Sequence, residues 1–311
     1  FTFKNIWALD QPPLAESTIT GQVSGVTFAN VKYGQEEVKR AAQVPLATGQ
    51  DDDPPKFQSP SGPRAAFTWS PQVIRPGVTV TFTAKASPHT HFTWLFGDGE
   101  QAHGRRVKHR YRDAEGTELN GAATGAGRFR VLLEARDGQG RQDWAGQGLV
   151  VVARWNAAAD VDRPTKPGLG WKIYPGAWME LPDLTKVTAV LEGESEGLTA
   201  DSQGFTRYAA AWDGRLKVPE NGGYTFHLMA RDGARLVVDG VQVAKTGPPF
   251  SQVCGSPGNA VRYDHGSIGL RAGLHRFHLE GLHSASASGP RLLWEGPGVR
   301  LSEVPASAYQ H

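Results

Sequence analysis

Cysteine is almost missing from this chain: in 311 residues Cys254 stands alone. A single thiol excludes an internal disulfide and a cysteine-rich zinc site, and it leaves the compartment undecided. Long apolar runs are missing too. None approaches the roughly 20 residues that a helix needs to cross a bilayer, and no signal-peptide pattern opens the chain. An excess of one charge is also lacking: 33 Lys and Arg face 31 Asp and Glu, a formal net charge of +2. That balance argues against a general nucleic-acid or membrane-surface binder and confines any basic patch to one place. G-x-S-x-G, H-E-x-x-H and a phosphate-binding glycine loop are absent. Carboxylate pairs for glycosidic hydrolysis stay open, because their separation in space decides them.

What is plentiful points to strands. Glycine (38) and proline (21) punctuate short alternating runs of Val, Thr, Tyr and Phe, which favours an almost all-β chain. The length calls for two or three domains. The chain starts at Phe1 directly in the strand-like FTFKNI, so we expect a processed or truncated part of something longer, with further domains upstream.

FTFKNI at 1–6 returns as VTFANV at 26–31, an offset of 25 residues that suits one coil of a β-solenoid. The repeated T-F-x-N-[IV] resembles the last coils of right-handed parallel β-helix proteins, many of them polysaccharide lyases or glycoside hydrolases. Residues 1–46 are expected to be such a remnant, and 47–64 (ATGQDDDPPKFQSPSGPR from Ala47) to be a linker. Asp51 to Asp53 read as a solvated hinge rather than a calcium cluster, since the adjoining prolines remove the turn that would converge their oxygens.

From Ala66, short strands at regular spacing predict an Ig-like β-sandwich over 65–153. Trp94-Leu95-Phe96-Gly97-Asp98-Gly99, His109-x-Tyr111, Gly127-x-Phe129-x-Val131-x-Leu133 and Arg136-Asp137-x-x-Gly140 resemble the motif series of polycystic-kidney-disease (PKD) domains. Asp98 then forms a turn and is not a catalyst. Asp113 to Ala126 exceeds the family's short turn and should be an exposed loop. In RRVKHRYR, Arg106, Lys108, Arg110 and Arg112 share a face while Val107, His109 and Tyr111 point inward. Such a row suits a solvated sheet face or a ladder for an anionic polysaccharide or phosphate. His89-x-His91 lacks a third metal ligand at a suitable spacing, and His275, His278 and His283 do not converge.

Residues 154–311 read as a third domain. In YTFHLMA, Tyr224, Phe226, Leu228 and Ala230 share one face, expected to be core, and Thr225, His227 and Met229 the other. Asp239-Gly240 between LVV and VQV signals a type I′ hairpin. The runs YAAAWDGRLKVPENGGYTF, RDGARLVVDG, LRAGLH and WEGPG resemble the protective-antigen domain, expected to be a β-barrel or sandwich. That resemblance implies glycan binding in a shallow loop pocket, in many members with calcium held by two consecutive Asp residues. Here Arg231-Asp232 stands in their place, and a guanidinium opposes a divalent cation. If calcium binds, Asp232 and Asp239 are its ligands; otherwise no cofactor is implied, and these Asp residues serve turns or pair with Arg231 or Arg235.

Sugars are held by aromatic faces and a few directional polar groups. The glycan candidates are Tyr174, Trp178, Trp212, Arg231, Asp232, Tyr263 and His265, with Trp294 as a further aromatic. The long polar loop from Thr246 to His265 is the expected rim. The leading reading is a non-catalytic, carbohydrate-binding accessory region of a secreted or cell-surface polysaccharide-degrading enzyme. Its partner would be a glycan or polysaccharide, anionic ones included, with no nucleic acid and no membrane span. The alternatives are a structural or adhesive surface protein, and the C-terminal part of a β-helix hydrolase or lyase with an active site reaching into its first 45 residues.

Overall fold

The computed structural model describes residues 2–8, 17–19, 27–33, 36–37, 46–48, 56–58, 62–85, 90–115, 121–159, 165–247, 261–283 and 289–311. Asp51 to Asp53, His89, Cys254 and the 248–260 part of the expected rim lie outside these residues. The described residues are almost entirely β. It divides into two compact units. One comprises Phe1–Gln72, Gly77–Arg112 and Phe129–Leu149; the other comprises Val73–Pro76, Asp113–Arg128 and Val150–His311.

The first unit begins with β1 (Thr2–Ala8), β2 (Ser17–Ile19), β3 (Thr27–Tyr33), β4 (Glu36–Glu37), β5 (Leu46–Thr48) and β6 (Lys56–Gln58). β1 and β3 pair in parallel with Thr2 opposite Thr27 and Phe3 opposite Phe28, the register of the sequence repeat. β6 adds a third parallel strand, Thr27 facing Lys56, and β2 pairs with β5 with Ser17 facing Leu46. Both steps are 29 residues, and both place strands inside the segment expected to be a linker. Lys56-Phe57-Gln58 keeps only the Phe of the repeat, which is why the third copy escapes a reading by motif.

A two-sheet sandwich follows. β7 (Phe67–Ser70), β8 (Thr79–Ala84), β9 (Thr90–Leu95), β10 (Gln101–His103), β11 (Arg106–Arg110), the short helix α1 (Gly121–Thr124), β12 (Ala126–Asp137) and β13 (Gln142–Val152) run in chain order. The sheets are ordered β10-β9-β12-β13 and β11-β8-β7. Alternation along β8 and β11 buries Val80, Phe82, Val107 and His109 and turns Thr79, Thr81, Thr83, Arg106, Lys108 and Arg110 outward. Trp94 is fully buried, edge-on to Phe67 at 5.3 Å, with its Nε1–H donating to the Gly104 carbonyl at 2.8 Å. Gly97 (φ +85°) and Gly99 (φ +90°) adopt the left-handed conformations their turn needs. A side chain at Gly97 would come within 2.7 Å of the Arg130 carbonyl oxygen. Asp98 shapes that turn by accepting from the Glu100 N–H at 3.1 Å. It also holds His109 Nε2 at 2.7 Å. Burial and the Asp98 charge push the Tyr111 phenol above its ordinary range while its OH donates to Phe96 O.

Of the Asp113–Ala126 stretch, expected to be an exposed loop, residues 116–120 lie outside the described residues; at its two ends Asp113, Glu115 and Ala123 are exposed while Ala114, Thr124 and Ala126 are buried.

The second unit adds β14 (Leu169–Pro175), β15 (Leu191–Ser195), β16 (Tyr208–Val218), β17 (Gly222–Ala230), β18 (Ala234–Val238), β19 (Val241–Lys245), β20 (Arg262–Leu270), β21 (Gly273–His283), β22 (Arg291–Gly296), β23 (Val299–Glu303) and β24 (Tyr309–Gln310). The larger sheet is ordered β15-β14-β16-β21-β18-β19, with β24 also on β16; the smaller is β20-β17-β22-β23. No barrel closes. β19 and β20 run alongside each other without joining one ladder, so close that a side chain on Gly266 would meet the Val243 carbonyl oxygen at 2.0 Å. Trp171, Trp212, Leu236, Phe277 and Leu279 of the larger sheet face Tyr224, Phe226, Leu228, Ile268, Leu292 and Trp294 of the smaller. This interleaving is the core, and its burial is the main stabilising term of the unit.

YTFHLMA departs from the expected half-buried strand, because Thr225, His227 and Met229 are buried as well. Thr225 and Ser267 pair their hydroxyls at 2.8 Å, and Gly223 and Gly269 lie against Val150 and Val152. The outward face of the smaller sheet is therefore covered within its own unit, a fact that alternation along one strand does not encode.

Candidate functional site

β17 ends at Ala230, and Arg231-Asp232-Gly233 turns the chain into β18. Gly233 has φ +113°, which suits glycine. Its carbonyl accepts from Leu282 N at 2.9 Å. On the neighbouring strand, Thr246 accepts from Ala234 N through Oγ1 at 2.7 Å and donates its own N–H to Ala234 O at 2.9 Å. These bonds fix the floor of a cleft of about 40 Å³ lined by Glu180, Leu181, Asp232, Gly233, Lys245 and Thr246. Leu181 and the half-buried Trp178 pack on one small apolar cluster made of Tyr174, Ala209, Ala211 and Leu282. Nearby, burial pushes the His283 imidazole down to about 4, with the Asp232 carboxylate pulling the other way. Its ring stacks on Tyr208 at 4.5 Å.

The candidate residues separate into three groups. Asp232 lines the cleft, Arg231 precedes it with contacts of its own, and Trp178 shares the apolar cluster beside it. Tyr174 is 8% exposed and forms the base of that cluster, while Trp212 (0%) and Trp294 (4%) are core residues. Trp212 Nε1 donates to Thr199 O at 3.1 Å. A sandwich this wide needs large side chains in its middle, and composition cannot separate those from aromatics that face a ligand.

Tyr263 and His265 sit on β20, not on a loop rim. They stack on His227, with ring centroids 5.4 to 6.0 Å apart within the trio. Tyr263 OH lies 2.8 Å from His227 Nδ1, and His227 Nε2–H donates to Glu295 at 3.2 Å. Glu295 also accepts from Arg128 Nη2 at 2.7 Å. Burial would raise the Glu295 carboxyl, but His227 and Arg128 outweigh it and hold the group down to about 2. His227 is fully buried, while Tyr263, His265 and Glu295 are partly exposed.

Calcium does not fit the pair Asp232 and Asp239. They flank the five-residue β18, and at about 3.3 Å per residue they stand roughly 20 Å apart. Asp239, at φ +50°, is committed to its turn: it accepts from Arg276 N at 2.8 Å and holds His275 Nδ1 at 2.6 Å. At the cleft itself the cationic residue Lys245 lines the wall with Glu180 and Asp232, two carboxylate residues only, and calcium wants six to eight oxygens. Among the described residues no cluster of three His, Cys, Asp or Glu could hold a metal.

Lys245, Glu180 and the Arg128–Glu295–His227 chain were invisible along the sequence. Arg128 and Glu295 are 167 residues apart, and no local pattern links them.

His278 gives this unit a pH signature. Its ring donates to Asp213 at 2.7 Å and Glu280 at 3.0 Å, and these bonds raise its pKa to about 9. The stabilisation is complete below the ordinary histidine value of about 6.5 and is lost as pH rises through 9. With the ring one-third exposed, we expect about 1 kcal/mol to disappear over that window. Melting temperatures of the wild type and His278→Ala between pH 6 and 9.5 check it: the wild type should decline the more steeply, and equal slopes would refute the assignment.

Residues 64–117 match the PKD domain family and residues 165–307 the PA14 domain family. No curated protein matches the chain. Among solved structures, an anti-sigma factor domain-containing protein from Clostridium clariflavum is 18% identical, covering 79% of this chain and 91% of that one, with TM-score 0.35. The PA14 sugar-binding domain from an RTX adhesin is 17% identical over 47% of this chain and 98% of its own, with TM-score 0.37. The PKD1 domain of the Vibrio cholerae metalloprotease PrtV is 21% identical over 30% and 99%, with TM-score 0.23. With motifs and family matches in agreement, the chain carries a PKD domain (residues 64–117) followed by a PA14 domain (residues 165–307).

Proposed function

We propose that the chain is a non-catalytic glycan-binding module of an extracellular protein, with the PA14 domain as the binding element. The observation that carries this reading is the Asp232 cleft. An acidic and a basic residue, Asp232 and Lys245, line it together, next to an apolar cluster on which Trp178 packs. At about 40 Å³ the cleft admits a hydroxyl or a water rather than a sugar ring. A sugar would lie across it, one hydroxyl shared between Asp232 and Lys245 and its apolar face toward Trp178. Both domain types are typical of extracellular proteins, and among the described residues no helix is long and apolar enough to cross a membrane. A module of this kind serves as the accessory part of a polysaccharide-degrading enzyme by raising the effective concentration of its substrate.

The test is a glycan array with the full chain, with and without chelator, beside Asp232→Ala. We expect binding that chelator leaves unchanged and that Asp232→Ala weakens about 10- to 100-fold, the worth of a charged hydrogen bond. Its melting temperature should stay near that of the wild type. Loss of binding on chelation would restore the metal to the site. An empty array with self-association would replace this reading by a structural or adhesive one, and turnover of a polysaccharide would overturn its non-catalytic part.

A further inference from the structure

The outward face of the sheet β11-β8-β7 is ordered in a way that stability does not require. β11 and β8 pair with Arg106 opposite Thr83, Lys108 opposite Thr81 and Arg110 opposite Thr79. β7 continues two of these rows, Thr68 opposite Thr83 and Ser70 opposite Thr81. Since β11 is the edge strand, the face reads as a row of cations backed by one row of hydroxyls and part of a second. Arg112 extends the cation row beyond β11, and the exposed Lys85 follows the hydroxyl row of β8. From Arg106 to Arg112 the row is about 20 Å long. Its far end opens into a groove of about 600 Å³ lined by Gly77, Thr79, Glu100 and residues 108–112.

Two details argue for a ligand. Arg110 is held in place, its Nε–H donating to Thr79 Oγ1 at 2.6 Å, while the side chains of Arg106 and Lys108 make no hydrogen bond or ion pair with a described residue. The sign is also one-sided: among the described residues five cations stand with one carboxylate, Glu100, which lies 3.5 Å from Arg112. A charged edge strand does guard against strand addition. Acidic residues serve solubility at least as well, so that role alone leaves the excess of cations unexplained in a chain of net charge +2.

We propose that this face binds a linear anionic polysaccharide, its sulfate or carboxylate groups along the Arg106–Arg112 row and its hydroxyls on the threonines. Among the described residues the face carries no aromatic side chain for base stacking and no apolar wedge for a lipid surface. It is separate from the Asp232 cleft and stands whether or not that cleft binds sugar.

Titration calorimetry of the full chain with heparin, polygalacturonate, dextran and a short DNA duplex, at low and physiological salt, tests it. Heparin or polygalacturonate should bind, whichever binds naming sulfate or carboxylate as the group read, and dextran should not. Affinity should fall with salt. Arg106→Gln/Lys108→Gln should weaken binding about tenfold, flatten the salt dependence and leave melting unchanged, while Asp232→Ala should bind as the wild type does. Unchanged affinity in the double variant, no binding to either polyanion, or tighter binding to the duplex would each overturn the proposal.

Discussion

Asp143→Ala is expected to destabilise the first unit by about 3–5 kcal/mol, among the largest effects any single substitution should have in this chain. Lys32, on the parallel strand β3, is 4% exposed, and Asp143, on β13, is fully buried. The ammonium donates to the Asp143 carboxylate, with the carbonyls of Ala65 and Trp144 each 3.5 Å away. The same carboxylate accepts from Ala65 N at 2.6 Å. Removing it leaves a buried charge and a buried N–H without their main partner, and taking water in to solvate them would disrupt the packing around them. Thermal unfolding should show a fall of about 10 °C. Lys32→Met/Asp143→Leu, which removes both charges, should recover most of the loss, because buried pairs gain little over well-packed apolar replacements. If Asp143→Ala melts within about a degree of the wild type, the ammonium reaches water and the parallel strands are not held to the sandwich through this pair.

Trp212→Ala should cost a similar 3–5 kcal/mol, as expected for emptying an indole-sized site in a close-packed core. The ring is fully buried between the two sheets of the PA14 domain, and its N–H is bonded to Thr199 O. Trp212→Phe keeps most of the volume and gives up the hydrogen bond to a residue at the surface. It should cost about 1 kcal/mol. Calorimetric unfolding beside the glycan array decides between core and ligand face: loss of binding without loss of stability in Trp212→Ala would return this residue to the binding surface.

Residue type alone does not separate a core aromatic from a surface one. Trp178 and Trp212 look alike in the sequence. Trp178 follows Gly176, over which its ring folds at the surface, whereas Trp212 sits mid-strand with a sheet above it. Tyr263 and His265 were placed on a long polar loop, but β20 begins at Arg262 and the two rings stack on His227. The polar segment before them masked the start of the strand. Asp239 was legible as a turn residue from Asp-Gly alone. Its hold on His275, 36 residues on, was not.

What the sequence determined by itself was whatever depends on near neighbours: the strands from period-two alternation, the turns from Gly97, Gly99 and Asp239-Gly240, and the first parallel register from the 25-residue repeat. Each of these is settled by steric and hydrophobic forces acting over a few residues or one recurring motif. The tertiary structure alone decided which aromatics are core, that Asp232 and Asp239 stand too far apart to share an ion, that the PA14 sheets stay open, and that Lys32 meets Asp143 across 111 residues. Those outcomes depend on which sheet comes to lie on which, and burial, charge pairing and clefts arise only where distant strands pack together.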